Sequence, residues 1–290
     1  MTQVSASIVN KPKFSILIRA EKVQELINTT LGDKKLASQF VADISTVVAN
    51  NPKLAECEPN TVISAGLVAS TLKLPMTQAL GFCYVVPYGN KAQIQIGYKG
   101  YIQLAIRSGY YLDIDALPVR DGEYKGRDKL TGKPIFEFIE NDDEADSKPI
   151  IGYRAYFTLL NGFTKTVYWS KSKVEKHRDQ FSKSSKYGGE TNIWRDRFDD
   201  MALKTLLRQL ISKWGIMSVE MQNAIEKDQA VIKEDLTPDY VDNPQNDGSV
   251  ADTVPEAKKI EEKPKPSDAK SSKVEVPFPE AEVKKDDDLF

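Results

Sequence analysis

Residues 81–109, GFCYVVPYGNKAQIQIGYKGYIQLAIRSG, constrain the fold more than any other stretch of the chain. Two β-rich runs flank Gly89-Asn90, a two-residue hairpin signal. On the return strand Ala92, Ile94 and Ile96 alternate with Lys91, Gln93 and Gln95, which predicts one apolar face and one face of hydrogen-bonding groups. Lys99, Gln103 and Arg107 then recur every fourth residue and stack along one side of the following helix. A hairpin that runs straight into an amphipathic helix points to an α+β fold. No acid falls between Gly81 and Gly109, so this surface of Lys, Arg and amides suits a polyanion whose backbone is gripped and whose bases are not chosen. The alternative is an ordinary solvated face.

A second segment, RDRFDDMALKTLLRQLISKWG (residues 195–215), repeats the logic. Phe198, Ala202, Leu206, Leu210 and Trp214 form one i+4 row, widened by Leu203, Leu207 and Ile211. Arg197, Lys204 and Arg208 share the opposite side. The spacing predicts a helix with a packed core face and a basic ridge. Two such helices suggest a shared groove, against the plainer reading of two solvated faces.

The formal charge of −2 hides an asymmetry, because residues 230–290 hold 16 acids and 9 bases. The rest of the chain is therefore basic, and residues 165–213 alone carry 12 bases against 6 acids. A basic body with an acidic tail is an arrangement found in nucleic-acid binders; the tail can also serve solubility alone. Cys57 and Cys83 are too few for a disulfide framework or a zinc site. With no apolar run of membrane-spanning length and no signal-peptide pattern, a soluble cytoplasmic protein is expected.

Along the chain, residues 1–32 read as a leader with a short amphipathic helix through Val23, Leu26, Ile27 and Leu31, available for oligomer contacts. A core of residues 33–232 follows. Asp33 predicts an N-cap for a helix through Phe40, Ile44 and Val48, and Thr61 opens another through Leu72. Leu112, Ile114 and Ala116 alternate with Asp113 and Asp115 as a half-buried strand. Residues 121–148 offer short strands at best. Residues 150–160 and 163–169 read as strands joined by Asn161-Gly162, and Ser170 caps a basic helix through Lys173, Lys176 and Phe181. SKSSKYGGETN (residues 182–192) reads as a mobile basic loop, and residues 220–232 close the core. The expected architecture is antiparallel sheet and hairpins packed with long helices. Residues 233–290, rich in Pro, Lys, Glu, Asp and Ser, read as a disordered acidic tail.

Catalytic signals are weak. GRDKLTGK (residues 126–133) fails as a phosphate-binding loop, because its glycines are six apart where five are needed and Pro134 replaces the magnesium-binding hydroxyl. Glu140, Asp142, Asp143 and Glu144 form a charge run rather than a two-metal site. Asp113 and Asp115 lack a third ligand. His177, flanked by Lys176 and Arg178, reads as a surface residue. A metal-dependent nuclease using the acids of residues 113–144 stays as a rival, and passive strand coating as a weaker one. No cofactor and no ATP requirement is expected.

These same segments resemble, in order, the RecT family of phage and prophage single-strand annealing proteins. The resemblance rests on LGFCYVVPYGNKAQIQIGYKGYIQLAIRSG (80–109), IIGYRAYFTLLNGFTKTVYWSKSKVEKH (150–177) and IWRDRFDDMALKTLLRQLISKWGIMSVEMQ (193–222), within about residues 33–228. It implies an ATP-independent recombinase that coats single-stranded DNA, oligomerises into rings or helical filaments, and pairs complementary strands. The implied partners are single-stranded DNA and its annealed duplex, further copies of the chain, a phage exonuclease and the host single-strand binding protein. Carried over by position, the groove takes Lys91, Gln93, Gln95, Lys99, Gln103 and Arg107 from the first block. From the last it takes Arg197, Lys204, Arg208 and Lys213, with Lys183 and Lys186 on the loop between. Tyr98, Tyr101 and Trp194 become candidates for base contact. The final DDDLF (residues 286–290) looks like the acidic tip of bacterial single-strand binding proteins without its proline, or is a chance acidic end.

Overall fold

A computed structural model describes residues 13–182, 193–233 and 236–239. Five helices open it: α1 (Phe14–Leu17), α2 (Glu21–Leu31), α3 (Lys34–Ala49), α4 (Pro52–Glu56) and α5 (Pro59–Thr71). The Asp33 carboxylate accepts the amides of Lys35 and Leu36, satisfying two of the free donors that begin α3. Gly32 ends α2 at φ +67°, a left-handed conformation that glycine takes at little cost. Every residue from Thr61 to Ala69 is buried, so α5 is a core helix on all sides. Phe40 and Ile44 press on Gly66 so closely that a Cβ there would meet both at 2.9 Å. Phe14, Ile18 and Ile27 lie in this same core. The described part of the expected leader is thus packed against residues 33–71 and does not stand apart from them.

Next come β1 (Cys83–Tyr88) and β2 (Lys91–Ile96), antiparallel from Cys83↔Ile96 to Tyr88↔Lys91, with Gly89 at φ +57° in the two-residue turn. Helix α6 (Tyr98–Arg107) follows at once. The Gly97 amide donates to the Phe82 carbonyl at 2.9 Å. A Cβ on Gly97 would lie 2.1 Å from the Gly81 carbonyl oxygen, and one on Gly100 2.1 Å from that of Phe82. Hairpin and helix are therefore locked together backbone against backbone, which explains the glycine spacing of the segment.

The central sheet has the order β3–β6–β7, built from β3 (Tyr111–Arg120), β6 (Ile150–Leu159) and β7 (Thr164–Ser170), all antiparallel. Ile114, Ala116, Tyr153, Ala155 and Phe157 form its buried face. A bulge between Tyr111↔Leu159 and Asp113↔Thr158 shifts the start of β3 by one residue. Leu112 is consequently 68% exposed instead of sharing the inner face with Ile114 and Ala116. The β6–β7 turn is wider than two residues: the Leu159 amide donates to Phe163, and Gly162 sits at φ +83°. Residues 121–148 form the short pair β4 (Tyr124–Arg127) and β5 (Pro134–Phe136), then the single turn of α7 (Asp142–Ser147).

Ser170 caps α8 (Lys171–Phe181) by accepting the Lys173 amide. Beyond residues 183–192 lie α9 (Ile193–Asp196), α10 (Phe198–Trp214), α11 (Val219–Lys227), β8 (Val231–Ile232) and β9 (Pro238–Asp239). Helix α10 packs across β6, β3 and β7 and alongside α6, and buries eight side chains from Met201 to Ile211. The result is the expected α+β architecture of antiparallel sheet and hairpins packed with long helices. Among the described residues, no helix is long and apolar enough to cross a membrane.

Candidate nucleic-acid interface

Three elements bring exposed cations and a ring together. Tyr84 on β1, Lys99 on α6 and Arg197 just before α10 are far apart in sequence. Arg197 donates from Nη1 to the Tyr84 hydroxyl at 2.9 Å, with its guanidinium 5.6 Å from the Tyr84 ring centre. The Tyr84 hydroxyl and Lys99 Cδ both close on Gly81, at 3.2 and 3.5 Å from where a Cβ would stand. Lys99 and Arg197 are exposed and Tyr84 is half-buried. Arg197 also faces Asp200 at 3.6 Å, an exposed pair that holds it only weakly.

The arc continues onto α8. Phe198 lies beneath two of its cations, Lys171 at 5.8 Å and Arg178 at 5.7 Å from the ring centre. Lys173 sits 4.3 Å over Trp169. Cations displayed on aromatic faces match what a single strand offers, since phosphate takes the charge and bases can stack on rings. Tyr84, Lys171, Lys173 and Arg178 were not among the sequence candidates. The run of Lys171, Lys173, Lys176 and Arg178 behind the Ser170 cap was the only signal for the cations of α8, and nothing in the sequence marked Tyr84. Lys183 and Lys186, expected in the sequence reading on a loop, lie outside the described residues.

Several candidates are placed elsewhere. Gln93 and Gln95 are buried, because β2 is covered on both faces and its amides do not look onto solvent. Gln95 donates to the Met201 sulfur at 3.3 Å. Arg107 is exposed, yet its guanidinium donates to the carbonyls of Leu72 (2.7 Å) and Lys73 (3.0 Å), capping the end of α5. Gln103 is half-buried on α6. Lys91 occupies the hairpin tip, five register steps from the Cys83↔Ile96 pair that leads into α6, or about 17 Å away. Lys213, at the opposite end of α10 from Arg197 and about 24 Å distant, lies with Lys165 against Trp214 at 5.2 and 4.6 Å. Tyr101 and Trp194 are buried, Trp194 edge-on to Phe198. Tyr98 is half-buried, its hydroxyl pushed up by burial and then by Asp200 and Asp115.

The largest departure from the sequence reading concerns Lys204 and Arg208. Lys204 is only 4% exposed. Its ammonium meets Asp228 at 2.8 Å, and burial pulls it below its ordinary pKa against the pull of that carboxylate. Asp228 also accepts the Ile96 amide (2.9 Å) and the Tyr101 hydroxyl (3.0 Å). Arg208 approaches the same carboxylate at 3.8 Å and donates to the Ile225 carbonyl. The expected ridge of α10 is therefore turned inward on an acid 24 residues further along the chain. His177 is half-buried. It packs between Trp169 and Phe181, and burial, then Arg208 and Lys173, hold it down to about 4.

Among the described residues, no group of three or more His, Cys, Asp or Glu is arranged to hold a metal ion. Asp128 organises the 126–133 turn by accepting from the Leu130 and Thr131 amides and the Thr131 hydroxyl.

A model of the RecT family matches residues 38–244. The chain is 42% identical over 274 residues to the uncharacterized protein YqaK of Bacillus subtilis (strain 168), covering 90% of this chain and 89% of that one. It is 30% identical over 247 residues to Protein RecT of Escherichia coli (strain K12), covering 82% and 87%.

Proposed function

This chain belongs to the RecT family, and from that premise we propose that it is an ATP-independent protein that anneals complementary single strands of DNA in phage homologous recombination. The observation that carries the reading is that Lys99 and Arg197 gather at Tyr84 and Gly81, with the α8 cations Lys171 and Arg178 over the neighbouring Phe198 ring. Pairing releases roughly 1.4 kcal/mol per base step, so annealing needs no fuel. The barrier is kinetic, because two polyanions repel and single strands fold on themselves. Cations on the phosphates remove the repulsion, and rings that stack with any base hold the strand open without choosing sequence.

In this reading the DNA-binding and annealing core includes the described leader helices and runs to the β8–β9 pair at Asp239, past the boundary at 232 expected from the sequence, and the acidic tail follows. The protein acts in the cytoplasm as a homo-oligomer, ring or helical filament, beside an exonuclease that makes single strands and the host single-strand binding protein. It is not an enzyme. A role for the Asp286–Phe290 tip falls outside the described residues.

The test is a strand-pairing assay with two complementary labelled oligonucleotides, without nucleotide, followed by gel analysis in magnesium or manganese. Pairing faster than the spontaneous rate, with strands left intact, supports annealing. Cleavage would favour the nuclease alternative, and protection with slowed pairing would favour passive coating.

A further inference from the structure

Residues 124–136, YKGRDKLTGKPIF, carry four bases and a single acid, Asp128. They form the β4–β5 hairpin, whose tip presents Leu130 at 94% exposure, with Arg127, Lys129 and Lys133 exposed around it. One exposed leucine decides nothing by itself; its setting does. The Asp128 carboxylate holds the Leu130 and Thr131 amides, and the Asp128 amide donates to the Lys133 carbonyl at 2.9 Å. Arg127 Nη1 donates to the Gly132 carbonyl at 2.9 Å, and Gly132 turns the chain at φ +68°. The turn is closed from within, so its apolar tip is set outward before anything binds. Three cations against one carboxylate leave the tip positive. Lys125, at the base, pairs with Glu137 at 3.1 Å.

The hairpin is rooted on β7. Tyr124 stacks on Tyr168 with ring centres 4.2 Å apart, and Phe136 meets the same ring edge-on at 5.7 Å. Trp169 follows in the chain and carries Lys173 of α8 at 4.3 Å. Arg127 lies three residues past Tyr124, about 10 Å along β4. Partial desolvation, then the charge of Arg127, holds Lys173 below its ordinary range. The cations of the hairpin and of α8 are therefore within electrostatic reach of one another.

An apolar tip flanked by cations has the form of a wedge, and leucine is among the side chains that proteins insert to part stacked bases. We propose that the β4–β5 turn is a base-unstacking wedge, in which Leu130 enters a step of the bound strand and Lys129 and Lys133 take the phosphates on either side. Parting the step costs stacking, which the phosphate contacts offset. Leucine has no hydrogen-bonding group, so it enters any step without choosing bases. A strand parted in this way folds less readily on itself and presents its edges to a complement. The inference rests on the annealing reading only in naming a single strand as the polymer.

The experiment uses full-length protein and mixed-sequence oligonucleotides carrying 2-aminopurine, an adenine analogue that brightens when it unstacks. Binding is followed by anisotropy in parallel. Wild type should raise the fluorescence on binding, Leu130→Ser should bind yet lose most of that gain, and Leu130→Phe should keep it. Thermal unfolding confirms that each variant is folded, and Leu130→Gln replaces Leu130→Ser if that one is not. The Lys129→Ala, Lys133→Ala double variant should lose about 1.4 from the slope of log affinity against log salt. Bound wild type with no gain, a gain untouched by Leu130→Ser, or an unchanged slope in the double variant would overturn the wedge. Strand pairing by wild type is read separately. Faster pairing with no Leu130-dependent gain sinks the wedge and leaves annealing standing, and such a gain without faster pairing does the reverse. A wild type that binds no oligonucleotide overturns both.

Discussion

Asp228 accepts a hydrogen bond from Lys204 at 2.8 Å inside the protein, and this pairing turns the middle of α10 away from solvent. The same carboxylate holds the Ile96 amide and the Tyr101 hydroxyl. One side chain thereby ties α10, the end of β2 and α6, the elements that carry Arg197 and Lys99.

Removing that carboxylate strands a buried ammonium. Asp228→Ala should lower stability by about 3–5 kcal/mol, while Lys204→Met, which leaves Asp228 the Ile96 amide, the Tyr101 hydroxyl and Arg208 at 3.8 Å as partners, should cost less on its own. The double variant should be more stable than Asp228→Ala alone. Urea unfolding of the three variants measures it; equal losses from both single changes would contradict the pairing.

Charge removal should separate two classes of cation. Lys204→Ala is expected to act on stability. Lys99→Ala and Lys171→Ala should leave the unfolding midpoint within about 0.5 kcal/mol of wild type and weaken oligonucleotide binding. Fluorescence anisotropy beside thermal unfolding tests the split, and a Lys99→Ala protein with full affinity would remove that residue from the interface.

Gly97→Ala should destabilise by about 3 kcal/mol or more. Its Cβ would lie 2.1 Å from a backbone oxygen that cannot swing aside. Gly162→Ala meets no atom within 4 Å and suffers only from its positive φ, which costs about 1 kcal/mol. Near-equal effects of the two in denaturant melts would contradict the close packing of hairpin on α6.

Burial holds His177 down to about 4, with Arg208 and Lys173 adding to the effect. The unfolded chain binds that proton near pH 6.5 and the folded one does not. Stability from this group is therefore present above 6.5 and is lost as pH falls toward 4, by about 2 kcal/mol at pH 5. His177→Gln should flatten that part of the stability profile. A variant that keeps the wild-type slope between pH 6.5 and 5 would show that His177 titrates normally.

Local chemistry was legible in the sequence and long-range partners were not. Asp33 and Ser170 announced their caps, and Gly89-Asn90 its turn, because each signal acts within four residues. The β3 bulge at Leu112 left no trace, since alternation reads the same whether or not a register shift intervenes. Gln93 and Gln95 looked like an open polar face; both are buried, Gln95 against Met201 of α10, more than a hundred residues later. Lys204 and Arg208 shared a helix side as the spacing said, but Asp228 decides that the side points inward. Of the expected groove, Lys99 and Arg197 lie near Tyr84 and Gly81, while Lys171 and Arg178 reach Phe198 through tertiary packing that periodicity cannot reveal.

The most direct measurement is the salt dependence of oligonucleotide affinity for wild type and for the Lys99→Ala, Arg197→Ala double variant, on mixed and single-base strands. Each phosphate contact contributes about 0.7 to the slope of log affinity against log salt. The double variant should therefore lose about 1.4 from the wild-type slope, equally on every sequence. An unchanged slope, or a loss confined to particular sequences, would contradict the claim that this arc grips the phosphate backbone.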